Sequence, residues 1–132
     1  MKRVVSVLII MLLAVGNACA ERVVLGAEQT KEYLPLLKGK RVALLSNHTG
    51  LVILGDEAKG DTIHTLDWLL KHGIQVTAIF SPEHGFRGTA DAGEKVSSGV
   101  DTQTGIMVHS LYDGNTGRPS DSIMALLDVV LF

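Results

Sequence analysis

Apolar positions along the chain fall into short unbroken runs separated by stretches of helical periodicity. Arg41-Val-Ala-Leu-Leu-Ser46 is apolar at consecutive positions, which predicts a strand buried on both faces. Ile74 to Phe80 predicts a second strand, Ile106 to Ser110 a weaker third, and Asp128 to Phe132 a fourth. Glu28 to Leu37 predicts a short helix, broken or restarted at Pro35 and ended by Gly39. Asp61 to His72 carries the clearest helical spacing, with Ile63, Leu66, Leu69 and Leu70 on one face and Trp68 expected in the core beside them. Asp61 or Thr62 can cap that helix, and Gly73 stands where a C′ glycine belongs. Ser120 to Leu127, behind Pro119, predicts a last helix. Strands alternating with helices imply right-handed crossovers, hence an α/β fold with a Rossmann-like, doubly wound, mainly parallel sheet. Val129 to Phe132 is then expected as a central buried strand. Its missing partner helix implies that the chain is the N-terminal piece of a longer protein.

The first twenty residues follow a different logic. Lys2 and Arg3 make a positive start, Val4 to Val15 is apolar apart from Ser6, and Ala18-Cys19-Ala20 supplies the small residues of a cleavage site. An apolar run of that length falls short of the ~20 residues a bilayer span takes. The segment 1–20 is therefore expected to be a signal peptide and 21–132 the mature domain, exported to the periplasm or beyond and keeping no stable membrane span. Lipidation at Cys19 is disfavoured, because Gly16-Asn17-Ala18 lacks the leucine such a site carries.

Composition narrows the function classes. With 132 residues, the chain has room for one domain. Twelve Lys+Arg against 14 Asp+Glu give a net charge of −2, and no long basic run occurs, which argues against nucleic acid as a partner. Loss of Lys2 and Arg3 on cleavage leaves ten basic residues against 14 acidic ones, a charge of −4. Cleavage also removes the only cysteine, so the exported domain must hold its fold without a disulfide.

In an open parallel sheet, ligands bind beyond the carboxyl ends of the strands. Three polar loops follow the expected strands there: Asn47-His48-Thr49-Gly50, Ser81-Pro-Glu-His-Gly-Phe-Arg-Gly88 and Tyr112-Asp113-Gly114-Asn115. The second loop places Glu83 and His84 side by side after a buried strand, with Gly85 and Gly88 freeing the backbone and Arg87 able to grip a carboxylate in bidentate fashion. General acid chemistry needs a carboxyl group in a partly desolvated loop of this kind. A plain surface turn with a solvated Glu and His accounts for the same pattern. No cofactor fingerprint is present, since Gly85-Phe-Arg-Gly88 is not the dinucleotide-binding glycine pattern. The histidines at 48, 64, 72, 84 and 109 lack metal-ligand spacing, and no metal is expected. His64 and His72 are expected on a helix surface, and His109 is expected to pack beside its strand. Asp113-Gly-Asn115-Thr-Gly117 fits a turn better than a calcium loop, and Asn47-His-Thr49 is formally a glycosylation sequon.

The segments Leu37-Lys-Gly-Lys-Arg-Val42, Ser46-Asn-His-Thr-Gly50, Phe80-Ser-Pro-Glu-His-Gly-Phe-Arg-Gly88, Ala92-Gly-Glu-Lys-Val96 and Ser110-Leu-Tyr112 occur in this order. In series they resemble the DUF1343 family, the NamZ-type exo-β-N-acetylmuramidases of glycoside hydrolase family 171. The resemblance covers nearly all of Leu25 to Phe132. It implies a Rossmann-like N-terminal domain, a smaller C-terminal domain that this chain lacks, and a site in the cleft between them. It implies release of terminal N-acetylmuramic acid from peptidoglycan fragments, with Glu83 as the catalytic acid. Asn47, His48, His84, Arg87, Glu94 and Tyr112 are carried over as residues of the substrate pocket. Glu94, Asp91 or the substrate's own N-acetyl group could supply the second catalytic function. The lactyl carboxylate of muramic acid needs an anchor, for which Arg87 or a nearby histidine is suited. A second reading stays open, that of a truncated, inactive remnant that at most binds cell-wall sugar.

Overall fold

The computed structural model describes residues 23–55, 60–88, 97–114 and 117–132. The expected signal segment, Asp91 and Glu94 lie outside them. A single 3-10 turn at Gly26–Glu28 leads into α1, Thr30–Leu37. Pro35 sits inside α1 without breaking it, contrary to the sequence-based expectation; Pro35 and Lys31, whose carbonyl loses the N–H partner, are both exposed, so water can take the place of the lost bond. Gly39, at a φ of 71°, turns the chain into β1, Val42–Leu45.

The chain next forms an antiparallel ribbon of β2, Leu51–Ile53, and β3, Thr62–His64. Neither strand is expected from the sequence, and the predicted helical start at Asp61 is displaced by β3. The helix α2 spans only Thr65–Lys71, and its cap is His64 rather than Asp61 or Thr62. The remaining strands are β4, Val76–Ser81; β5, Gly99–Val100; β6, Met107–Ser110; and β7, Val129–Leu131. The short α3, Asp121–Met124, precedes β7, with the Ser120 side chain accepting from the Ile123 N–H.

Five strands build one sheet in the order β5-β6-β4-β1-β7. Pairings β1–β4, β1–β7 and β4–β6 are parallel, and only β5 runs antiparallel, on β6. The chain steps outward from β1 to β4 and β6, then returns to the other side of β1 with β7, which is the doubly wound pattern. Among the described residues β7 lies at the sheet edge, half-buried, and does not occupy the central place expected of it.

Alternation along β1 explains how both faces are covered. Val42 and Leu44 point to a core with Leu37 of α1, Leu66 and Leu69 of α2, Ile79 and Phe86. Ala43 points to the opposite face with Ala78 and Phe80, where Ile123, Leu127 and Val130 pack. The small side chains at Ala43 and Ala78 let the thin α3 layer sit close. Trp68, expected in the core, is half-buried instead and stacks on His72 at 4.1 Å.

Candidate functional site

The parallel strands deliver their polar loops to one edge of the sheet. The Ser46 N–H donates to the Phe80 carbonyl at 3.1 Å, and the Leu111 N–H to the Ser81 carbonyl at 2.8 Å. The three exits therefore lie side by side, with β4 in the middle. The loop after β4 has a buried half and an accessible half. Gly85 and Phe86 are buried, while Glu83 and His84 are half-buried. His84 adopts a φ of 70°, the one non-glycine residue in the left-handed region among those described. Such a conformation costs of order 1 kcal/mol and persists only where the surroundings enforce it.

Arg87 pins the far end of this loop. Its Nη1 and Nη2 donate to the Asp67 carboxylate at 2.9 and 3.0 Å. Its Nε and Nη2 donate to the two oxygens of Asp101 at 3.1 and 3.0 Å. One guanidinium thus ties the loop to the first turn of α2 and to the turn between β5 and β6. The Asp101 side chain is only 3% exposed. The hydrogen bonds from Arg87 hold its carboxyl below the usual carboxylate range, and the same contacts hold the guanidinium charged. The guanidinium also lies 5.1 Å from the centre of the Phe86 ring. The carboxylates that Arg87 binds are the chain's own. With four of its five N–H groups aimed at them, it is placed to position the loop, not to anchor a ligand carboxylate as the sequence suggests.

His64 completes the support. It is buried, contrary to the expected helix surface, because β3 carries it inward. Its Nδ1 accepts from the Leu66 N–H at 3.2 Å, and its Nε2 lies 2.9 Å from the Asn47 carbonyl. These contacts require the neutral ring with the proton on Nε2. Burial pushes its pKa below 6.5 in the same direction. The ring packs edge-on against Phe86, 4.7 Å between centres. His64 thereby joins the first loop, the α2 terminus and the second loop.

The other expected site residues separate into two groups. The Asn47 side chain is spent on a local turn, and among the described residues Tyr112 is held through its backbone alone. The Asn47 Oδ1 accepts from the Thr49 N–H and hydroxyl at 3.0 and 2.7 Å, closing its own turn. Tyr112 is exposed and its N–H is held by the Ser110 hydroxyl at 3.0 Å. Glu83, His48 and His84 are different: among the described residues none of them has a hydrogen bond or ion pair with the protein. His48 and His84 meet ring to ring, 6.1 Å apart and perpendicular. A cleft of about 480 Å³ opens at the ends of β1 and β7; it reaches the first loop through Ser46 and Thr49, and none of Glu83, His48 and His84 lines it. It lies where the winding reverses direction, the usual ligand position in such sheets. Asp67, Asp101 and His64 are the residues that sequence reasoning missed. A β-branched Thr62-Ile63 pair after Gly60 could have signalled the ribbon that buries His64.

An α/β domain with its polar loops gathered at the carboxyl edge of the sheet is thus defined. The chain belongs to the family described as the N-terminal domain of the exo-β-N-acetylmuramidase NamZ, whose profile matches residues 42–132. It is 37% identical over 102 residues to the peptidoglycan β-N-acetylmuramidase NamZ of Bacillus subtilis (strain 168), covering 76% of this chain and 23% of that protein. Two crystal structures of DUF1343 family proteins from Bacteroides fragilis NCTC 9343 share the fold. One has a TM-score of 0.61 and 42% identity, over 83% of this chain and 25% of its own. The other has a TM-score of 0.60 and 36% identity, over 80% and 24%. The chain therefore spans about a quarter of the length of these relatives.

Proposed function

We propose that this domain supplies the catalytic-acid half of an exported glycoside hydrolase that removes terminal N-acetylmuramic acid from peptidoglycan fragments. Glu83 is the general acid in this reading, protonating the leaving oxygen as the glycosidic bond breaks. The observation that carries it is the contrast at the loop after β4: a carboxylate without a protein partner among the described residues, on a backbone pinned by Arg87, Asp67 and Asp101. An acid kept free of internal salt bridges stays available to a substrate oxygen, and a pinned backbone keeps it in place. Membership of the NamZ family supports the reaction class. Peptidoglycan lies outside the cytoplasmic membrane, which suits the expected export signal and cleavage after Ala20. No helix among the described residues is long and apolar enough to cross a membrane.

The test is Glu83→Gln in the protein as expressed from its natural gene, assayed on a muramyl glycoside. Gln keeps the shape and loses the transferable proton. A fall in kcat/KM of about 10²–10⁴ with an unchanged melting temperature is expected. Wild-type rates in the variant would remove Glu83 from this role. A natural product that binds the sugar and never cleaves it would favour the remnant reading.

A further inference from the structure

We infer that His48 and His84 form the carboxylate-recognising edge of this site, a pair that distinguishes a sugar bearing a lactyl carboxylate from one without it. The inference rests on the muramyl reading above. The physical starting point is charge. Among the described residues around the loop after β4, Arg87 carries one positive charge against Asp67, Asp101 and Glu83. Arg87 is already bound on both edges by carboxylates of the chain, so an incoming anion finds no open guanidinium edge there. A ligand carboxylate must find its donors elsewhere.

The two imidazoles provide them. Neither ring has a hydrogen bond to the described protein, and each can present an N–H. Their centres stand 6.1 Å apart at 90°, a separation across which one carboxylate can accept a bond from each ring. Both positions are built into the backbone. His84 is held in the left-handed region at a φ of 70°. His48 lies on the bare backbone of Gly88, where an added Cβ would come within 3.0 Å of the His48 Cβ. Glu83 is the immediate neighbour of His84, so the pair holds the carboxylate end of a sugar beside the acid.

The measurement is NMR of the imidazole Cε1–H resonances of the protein as expressed from its gene, titrated with N-acetylmuramic acid and with N-acetylglucosamine. N-acetylmuramic acid is expected to move both the His48 and His84 resonances and N-acetylglucosamine to leave them in place. His84→Asn, which tolerates the positive φ, and His48→Gln are each expected to weaken the muramyl sugar about tenfold and to leave the other sugar unchanged. Muramyl binding with both resonances unmoved would overturn the inference, as would equal loss of both sugars in the variants or no muramyl binding at all. A failed Glu83→Gln experiment would leave these sugar preferences standing, so the two readings fail separately.

Discussion

The loop after β4 contains two kinds of residue within seven positions. Phe86 and Arg87 are held by the protein: the ring by His64, the guanidinium by Asp67 and Asp101. Glu83 and His84 are half-buried and hold no hydrogen bond to the described protein. The difference separates two ways in which a charged residue can serve a site. A charge that is satisfied internally fixes geometry and is lost to chemistry. A charge that is left unsatisfied costs stability and stays available to a ligand. A tightly held Arg next to a free Glu is what a preorganised acid needs.

Substitutions in the two halves should therefore separate stability from activity. Arg87→Ala is expected to have the largest structural effect, because it strands the nearly inaccessible Asp101 carboxylate. A loss of about 2–3 kcal/mol is expected from leaving a partly buried charge without its partner. Thermal melting measures it, with Glu83→Gln as the companion that should melt no lower than the wild type. Equal melting of Arg87→Ala and wild type would erase the proposed distinction. Gly88→Ala comes next. At a φ of 75° and with His48 in the way, the added methyl should cost about 1–2 kcal/mol and displace His48. Melting together with the His48 imidazole resonance reads both consequences.

The smallest effect is a pH dependence. The folded pKa of His64 is lowered from 6.5, so the fold refuses a proton that the unfolded chain accepts. The contribution of His64 is complete above 6.5 and declines as the pH falls below it. Desolvation sets this direction and the Arg87 charge reinforces it, while the Asn47 carbonyl, Asp67 and Asp101 oppose it. The Asp101 carboxyl, lowered from 3.8, adds stability that is lost only in a second, more acidic window. Urea titrations across the acid range should show both steps. His64→Gln should remove the first and keep the second.

Much of the sheet is legible in the sequence because parallel strands buried on both faces are apolar at nearly every position, with Thr77 and the terminal Ser81 the exceptions in β4. Val42-Ala-Leu-Leu45 and Val76 to Phe80 leave little alternative. The Leu66 and Leu69 stripe and Gly73 fix the second half of α2 for the same reason. The β2–β3 ribbon escapes because Ile63 continues the helical spacing of Leu66 and Leu69, so periodicity alone extends the helix backward over a strand. β5 escapes because two residues carry no period at all. At the site, Glu83 and His84 stand out from the sequence by their place after a buried strand. The role of Arg87 does not, since its partners come from α2 and from the turn after β5, which only the fold brings together.

The separation of those partners along the chain has a consequence in time. Arg87 reaches Asp67 across 20 residues and Asp101 across 14, and His64 reaches Asn47 across 17. The edge strand β7 is different: the Arg41–Asp128 contact that accompanies its pairing spans 87 residues. Closing the longer loop costs roughly 1 kcal/mol more in chain entropy, and contacts of that range form late. During refolding the loop cluster around His64 and Arg87 should thus assemble while β7 is still unpaired. In pulsed hydrogen exchange, the amides of Phe80 to Ser81 and Leu66 should gain protection before those of Val129 to Leu131.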